Sequence, residues 1–285
     1  FLKFLTCSLR LPTHDMEWTN SVHKRLHQLP TPHSATQTTP SKIKHLHRLP
    51  TPQSATQTTS SKIKRKVILV EMIGDFSSPW CWVGKRRLEN VISTQRCSQL
   101  FDVQIRNLPF LLNPSLRPAE ELKCLKCPPS TPSSPFSNEL LRAAVKVGFD
   151  RSDFRQENIA RRASTVQGHC LLKFAEMELG LDAQNDLAEL LYASFLGAGS
   201  YPTLNQLIKY GKIVGLDPVK VKLFLETREE EMSVRVEAAR YAKRGVKQLP
   251  FFVLNGKAVF AGCQDFETIL DAFEICPHFR KKRKI

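Results

Sequence analysis

The order of hydrophobic patterns along this chain predicts an α/β fold in which an all-helical domain interrupts a small sheet. Strand, helix and strand patterns occupy 67–105, and a long run of helical patterns follows over 138–241. Strand signals return over 250–261 as a hairpin, and a last helical pattern ends near residue 273. The helical domain is therefore expected to lie between two halves of one sheet.

The first half of the predicted sheet begins with a strand over 67–73. This run is apolar at every position except Glu71, which is typical of a strand buried on both faces. A helix is predicted over 80–92 with Pro79 in its first turn, because proline suits the first helical position. Residues 101–105 alternate between apolar and polar, which predicts the second strand.

The inserted stretch contains apolar residues at helical spacing. Two buried helix faces are predicted, one formed by Leu171, Leu172, Phe174, Ala175 and Leu179 and one by Leu187, Leu190, Leu191 and Phe195. Asp217 is expected to cap a short helix that starts at Pro218. The stretch 229–243 reads as an amphipathic helix ended by Gly245.

The second half of the predicted sheet is a hairpin. Asn255-Gly256 lies between two apolar runs, and this dipeptide is the strongest short signal for a hairpin turn. The last helix is predicted over 265–273.

The net charge of +15 is unevenly distributed. Residues 1–67 carry 11 Lys and Arg but two acidic residues, and the last seven residues carry five basic residues and no acid. The intervening stretch is almost neutral, which argues against a nucleic-acid-binding domain. No apolar run approaches the ~20 residues that a membrane span needs, so an integral membrane protein is not expected.

Residues 1–65 read as a disordered basic segment. A unit rich in Ser, Thr and Pro repeats there with a period of 20 residues and lacks the apolar surface to bury a core. Its acid-poor composition also fits a mitochondrial or plastid transit peptide. The expected domain ranges beyond it are 66–112 with 244–276 for the sheet, 135–243 for the helical insertion and 277–285 for a basic tail.

Five short motifs occur in order within the predicted fold. They are Asp75-Phe76-Ser77-Ser78-Pro79-Trp80-Cys81, Pro109 to Pro114, Thr165 to His169, Gly245 to Val253 and Gly262-Cys263-Gln264. Together they resemble the DsbA-like branch of the thioredoxin superfamily, particularly its FrnE-like group, which is related to kappa-class glutathione transferases and 2-hydroxychromene-2-carboxylate isomerases. The resemblance implies a thioredoxin-like fold with an inserted all-helical domain and an oxidoreductase activity on thiols or disulfides.

One position departs from the family's Cys-Pro-Trp-Cys motif. Ser78 stands where the attacking cysteine belongs, and only Cys81 remains. A serine hydroxyl cannot replace a thiolate in dithiol–disulfide exchange. The resemblance to the serine-containing relatives implies a glutathione-dependent transferase or isomerase as the alternative, in which Ser78 stabilises the glutathione thiolate. A binding domain without catalysis is the third alternative.

The resemblance places further residues at the site. Pro250 corresponds to a cis-proline, and Leu249 before it would offer its backbone to glutathione or to a thiol or disulfide substrate. Ser78 and Cys81 are the expected catalytic residues, and Pro79 and Trp80 would border the substrate. His169 is a candidate for the cleft, although packing in the core is the stronger interpretation. Relatives in this group are often dimers, so a homodimer is a further expectation.

The remaining cysteines predict neither a metal site nor a disulfide framework. Cys124 and Cys127 form a Cys-x-x-Cys pair, but no second pair or nearby histidine completes the four ligands of structural zinc. The scattered cysteines favour a reducing, intracellular location, either the cytoplasm or an organelle. Lys85, Arg86 and Arg87 are expected to form a solvated face of the first helix. No tightly bound cofactor is expected.

Overall fold

A computed structural model of the protein describes residues 65–116, 138–154, 163–198 and 201–276. The Cys124–Cys127 pair, the basic tail and nearly all of the N-terminal repeat segment lie outside these ranges. The elements follow in the order β1 (Lys66–Gly74), α1 (Pro79–Ile92), α2 (Gln95–Leu100), β2 (Phe101–Pro109), α3 (Asn138–Val145), α4 (Val166–Leu179), α5 (Leu181–Tyr192), α6 (Leu204–Ile213), α7 (Pro218–Thr227), α8 (Glu229–Lys243), β3 (Phe251–Leu254), β4 (Lys257–Ala261) and α9 (Phe266–Ile275).

As predicted, strands from both halves of the chain form one sheet. Its strand order is β2-β1-β3-β4. Strand β1 pairs with β2 in parallel and with β3 in antiparallel orientation. The predicted hairpin turn is confirmed, because Asn255 and Gly256 both have positive φ, at 46° and 80°. The Asn255 side chain also accepts a hydrogen bond from the Leu69 N–H at 2.9 Å, which ties the turn to β1.

Three local predictions about the strands and helices need correction. Strand β2 extends to Pro109, four residues beyond the predicted end, because β1 continues to pair with it up to Gly74. The short helix α2 carries no apolar periodicity and was not predicted; the Thr94 side chain caps it by accepting from Cys97 N–H. Leu179 is 46% exposed, because it ends α4 beyond the stretch that packs in the core.

The inserted helices pack on strand β2 mainly through α5, and α4 and α8 also contact this strand. The predicted buried faces are otherwise correct, and α5 continues into one π-helical turn over Ala193–Gly197 that buries Phe195. Asp217 caps α7 as predicted, since its carboxylate accepts hydrogen bonds from Val219 and Lys220 N–H. Among the helices in the described ranges, none is long and apolar enough to cross a membrane.

Helix α1 packs tightly against the segment before β3. The Leu249–Pro250 peptide bond is cis, and the Pro250 ring lies against Gly84 on α1. A Cβ atom on Gly84 would lie 2.5 Å from Pro250 Cγ, which is closer than any real contact. Glycine at position 84 is therefore required by the close approach of the helix to the proline.

Replacing Gly84 with alanine is expected to destabilise the protein by about 1–3 kcal/mol, the usual range for forcing an extra methyl group into a packed site. The matched control is Gly168→Ala in α4, where a new Cβ would meet Phe76 at 3.4 Å, an ordinary contact. This control should be neutral or stabilising, because alanine favours a helix by about 1 kcal/mol over glycine. Denaturant unfolding of both variants measures the difference, and equal stabilities would contradict the packing described.

Candidate active site

Ser78 lies at the junction between β1 and α1, directly before the first helical residue. Its backbone is extended, with φ −97° and ψ 110°, and its N–H donates to the Asp75 carbonyl at 3.0 Å. Although it holds the N-cap position, its side chain accepts no capping hydrogen bond from the helix. The residue is 7% exposed. The Ser78 hydroxyl therefore lies at a helix N-terminus without capping it, and its side-chain partner is the Cys81 thiol.

Cys81 lies one turn into α1 and is completely buried. Its Sγ faces the end of β1, and a Cβ atom on Gly74 would lie 3.2 Å from both Cys81 Sγ and the Tyr192 hydroxyl. The thiol forms hydrogen-bond contacts with the Ser78 and Tyr192 hydroxyls, yet burial dominates and raises its pKa to about 12. At pH 7 the thiolate would be on the order of one part in 100,000. This environment favours packing, and the catalytic role of Cys81 stays a prediction.

Asp75 holds the β1–α1 junction in place from the inside. Its Oδ1 accepts hydrogen bonds from the Ser77 N–H and hydroxyl at 2.9 and 3.0 Å, and its Oδ2 accepts from Leu112 N–H at 2.7 Å. The Thr165 hydroxyl, directly before α4, is a further partner. Burial raises the pKa of the Asp75 carboxyl despite these donors. One side chain thus joins the junction to the end of β2 and to the start of α4.

The remaining predicted substrate-binding residues lie around α1 and the segment before β3. Pro79, Trp80 and Leu249 are half-buried, whereas Pro250 is buried against α1. The Pro250 carbonyl accepts a hydrogen bond from the Gly262 N–H at 2.7 Å, which fixes this segment to the end of β4. Trp80 and Leu249 both contact the hydrophobic core and keep part of their surface exposed.

His169 lies inside the core. It is 3% exposed and stacks on Phe76, with ring centroids 4.4 Å apart. Burial lowers the pKa of the imidazole to about 3, although the Phe110 backbone carbonyl opposes the shift. The ring is neutral at physiological pH, and its Nε2 has no hydrogen-bond partner. The position matches the packing interpretation of this residue.

The prediction that Lys85, Arg86 and Arg87 form a solvated face of α1 is wrong. Lys85 is 1% exposed and binds Glu89 on α1 at 2.5 Å and Glu189 on α5 at 3.3 Å. Arg86 also pairs with Glu189, whose Oε1 accepts a hydrogen bond from Trp82 Nε1 at 3.1 Å. These residues connect the first helix of the sheet domain to the helical insertion. Because α5 covers this face, Lys85 and Arg86 form ion pairs with buried carboxylates instead of contacting solvent.

Arg87 is half-buried as well. Its guanidinium donates to the backbone carbonyls of Cys263 and Gln264 at 3.0 and 2.7 Å, next to the end of β4. The third cation of the predicted solvated face therefore also has a structural partner.

Three residues that shape the site were not predicted from the sequence. Asp75 and Tyr192 line the surroundings of Cys81, and Glu189 anchors the cations of α1. Asp75 carried a local signal, since it is an acidic residue directly after a buried strand. Tyr192 and Glu189 belong to an unremarkable amphipathic helix, and their roles depend on tertiary contacts.

Cys81 is expected to resist alkylation in the folded protein. Because its pKa is raised to about 12, the reaction at pH 8 should be at least about 1,000-fold slower than that of a peptide thiol. The half-buried Cys263 is the internal comparison. Peptide mass spectrometry after iodoacetamide treatment, with and without denaturant, measures both. Rapid modification of Cys81 in the native protein would contradict the buried geometry.

Glu189→Gln is expected to destabilise the protein by about 3–5 kcal/mol at neutral pH, because it removes a partner of the buried Lys85 cation. The Lys85 and Arg86 cations lower the pKa of Glu189 against the effect of burial. Its stabilisation is therefore fully present above the unfolded carboxyl pKa and is lost as pH falls through the folded value. The gap between wild type and Glu189→Gln should shrink in acid.

The control for this prediction is Glu274→Gln, which breaks the exposed Arg96–Glu274 pair and should cost no more than about 1 kcal/mol. Denaturant unfolding over a pH series measures all three proteins. The assigned role of the buried carboxylate would be refuted if Glu189→Gln lowered the free energy of unfolding as little as the control does. It would also be refuted if the loss of unfolding free energy stayed the same in acid.

Comparisons with known proteins agree with this architecture. The chain matches the model of the DSBA-like thioredoxin domain over residues 69–274. No protein of curated function matches it. Among solved structures, a probable DsbA oxidoreductase from Streptomyces coelicolor is 22% identical, with a TM-score of 0.56 and coverage of 76% of this chain and 93% of that one.

Two further solved structures match this chain at lower identity. A candidate protein disulfide isomerase from Nitrosomonas europaea is 14% identical, with a TM-score of 0.54. The match covers 75% of this chain and 98% of that one. A 2-hydroxychromene-2-carboxylate isomerase is 15% identical, with a TM-score of 0.48. The match covers 74% of this chain and 97% of that one. The predicted thioredoxin-like fold with a helical insertion is confirmed, and the chain belongs to the family of DsbA-like thioredoxin domains.

Proposed function

We propose that the protein is a thiol–disulfide oxidoreductase whose reactive sulfur comes from a small thiol cosubstrate, glutathione, held at the N-terminus of α1. The observation that carries the proposal is Ser78, which stands at the first motif position with a side chain that does not cap the helix. The motif's single sulfur, that of Cys81, is buried and protonated at neutral pH. A thiol from solution supplies the nucleophilic sulfur that the motif itself lacks.

The position of Ser78 suits an anionic sulfur. The N-terminus of an α-helix carries a partial positive charge and free N–H groups, which stabilise a nearby anion. A hydroxyl donor beside it forms a charge-assisted hydrogen bond with a thiolate. Both effects lower the pKa of a bound thiol and raise the population of its nucleophilic form.

The reaction follows thiol–disulfide exchange. The bound glutathione thiolate attacks one sulfur of a substrate disulfide, a new S–S bond forms, and the departing sulfur leaves as a thiolate that takes up a proton. A second glutathione then attacks the mixed disulfide and releases oxidised glutathione and the second substrate thiol. The substrate disulfide gains two electrons, and two glutathione molecules supply one each.

Leu249 and Pro250 provide the remaining part of the proposed site. They lie between α1 and β3, where Leu249 is half-exposed and Pro250 is fixed against Gly84. Extended peptides commonly bind proteins by pairing with exposed backbone. We assign the Leu249 backbone to the peptide part of glutathione and the half-exposed Trp80 to one side of the bound substrate.

A glutathione-dependent transferase or isomerase is the second candidate, because Ser78 would stabilise the same thiolate for attack on a carbon electrophile. The intact buried core around Cys81 fits either reaction, since neither uses its sulfur. A domain that only binds is the third. The five cysteines in the described ranges are all free, which supports a reducing intracellular location for any of the three.

Glutathione binding tests the proposal directly. Calorimetric titration should show binding to the wild type, and Ser78→Ala should weaken it by about tenfold or more, since a hydrogen bond to a charged group contributes about 1.5–3 kcal/mol. Ser98→Ala, an exposed serine on α2, is the matched control and should bind as the wild type does.

Activity separates the candidates. With glutathione present, the wild type and Cys81→Ala should reduce a small disulfide at equal rates, while Ser78→Ala is slower. Conjugation of glutathione to an electrophile without disulfide reduction would favour the transferase instead. The proposal would be overturned if the protein did not bind glutathione, or if Ser78→Ala bound glutathione with the same affinity as the wild type.

A further inference from the structure

The end of the sheet that lies farthest from Ser78 carries exposed apolar side chains from three elements. Val67 near the start of β1 is 62% exposed, Leu100 at the end of α2 is 43% exposed, and Ile275 at the end of α9 is 58% exposed. We call the end of the fold that carries these three residues the basal end. Strand β1 spans nine residues, so about 30 Å of strand separates the basal end from the start of α1.

Contacts between β1, β2 and α9 place these residues in one neighbourhood. Lys66 pairs with Phe101 across the two strands. Val67 follows the first of these residues and Leu100 precedes the second, so their Cα atoms lie at most about 13 Å apart. The Phe101 ring packs on the Phe273 ring of α9, with centroids 6.1 Å apart. The last residues of α9 therefore lie beside the starts of both strands.

Exposed basic side chains accompany the apolar residues of the basal end. Arg65 and Lys66 are exposed at the start of β1, and Arg65 donates a hydrogen bond to the Ser98 carbonyl on α2 at 3.4 Å. Within the described ranges, neither cation pairs with an acidic side chain. Lys257 is exposed at the start of β4, and its charge acts on the thiol of Cys276, directly after α9.

The acidic residues near the basal end leave most of this positive charge uncompensated. Glu274 on α9 pairs with Arg96 on α2 at 2.6 Å, so that pair is neutral as a unit. Asp102 on β2 and Asp271 on α9 are further acidic residues in the neighbourhood.

The flanking sequence adds more positive charge at the same end. The described fold begins at Arg65 and closes at Cys276, and both residues belong to the basal end. Residues 280–284 are all Lys or Arg, and no acidic residue follows Cys276. Because consecutive Cα atoms are about 3.8 Å apart, Arg280 stays within about 16 Å of Cys276 whatever path the chain takes. The basic cluster at 280–284 is thus tethered to the basal end.

Other exposed apolar residues have a different electrostatic setting. Val219 and Leu223 on α7 are more exposed than Val67, Leu100 or Ile275. However, both lysines of α7 are neutralised by glutamates, Lys220 by Glu178 at 3.0 Å and Lys222 by Glu226 at 3.8 Å. The basal end is distinguished by apolar side chains together with excess positive charge, and not by exposure alone.

We propose that the basal end docks on an anionic lipid surface, with its basic side chains at the headgroups and its three exposed apolar side chains in the interface. Each Lys or Arg beside a negatively charged leaflet strengthens binding about fivefold, and shallow insertion of apolar side chains adds to this attraction. Nucleic acid fits less well, because phosphate contacts make no use of exposed aliphatic side chains. Docking in this orientation leaves Ser78 facing away from the lipid and is independent of glutathione binding.

Co-sedimentation of the full chain with lipid vesicles tests the charge contribution. The wild type should bind phosphatidylcholine vesicles that contain about 30% phosphatidylserine and should not bind phosphatidylcholine alone, and added salt should weaken the binding. Replacing all five basic residues at 280–284 with glutamine should weaken binding by at least about 100-fold. Lys66→Glu should weaken it by at least about tenfold, whereas the matched control Lys222→Glu on α7 should bind as the wild type does.

A second pair of variants separates a lipid surface from other polyanions. Ile275→Ser should weaken vesicle binding by at least about fivefold, because its apolar side chain no longer enters the interface, whereas Val219→Ser on α7 should have no effect. Fluorescence anisotropy with a mixed-sequence DNA duplex measures the competing partner at the same salt concentration. Circular dichroism and melting temperature check that each variant is folded.

Four results would overturn the proposal. They are a wild type that does not bind the anionic vesicles, equal binding to vesicles without phosphatidylserine, an affinity unchanged by Lys66→Glu or by Ile275→Ser, and binding to DNA that is tighter than binding to the vesicles.

Discussion

The buried carboxylate of Asp75 is the interaction on which the architecture of the site depends. It accepts hydrogen bonds from the turn before α1, from the backbone after β2 and from the residue before α4. Removing a carboxylate from water is costly, and hydrogen-bond donors from separate parts of the fold offset part of that cost, although burial still raises its pKa. The position of Ser78 at the helix N-terminus follows from a junction that both domains hold in place.

The same junction explains why the side chains of Cys81 and Ser78 have different environments. Cys81 faces inward, where Gly74 and the Tyr192 hydroxyl leave its thiol no contact with solvent. Ser78 precedes the helix and keeps its side chain out of the capping role. A site built in this way has lost the intrinsic pair of sulfurs but retains the helix terminus that favours an anion. The chemistry proposed for the protein uses that terminus with an external thiol.

Local signals in the sequence were sufficient for most of the fold and insufficient for the surroundings of the site. Asn255-Gly256, Pro79 and Asp217 act within a few residues, so their turn, helix start and cap could be predicted. The burial of Lys85 depends on Glu189, more than 100 residues away, and a basic run on a helix looks solvated without it. The environment of Cys81 likewise depends on Tyr192, which no local pattern connects to the motif.

In the proposed site, the N-terminus of α1 and the Ser78 hydroxyl stabilise a bound thiolate. The most direct test is the pKa of glutathione in its saturated complex, followed by thiolate absorbance near 240 nm as a difference spectrum over pH. We expect the pKa of the bound thiol to lie well below the ordinary thiol value of about 8.5 and to rise toward that value in Ser78→Ala. A bound thiol that titrates like the free one in both proteins would contradict it.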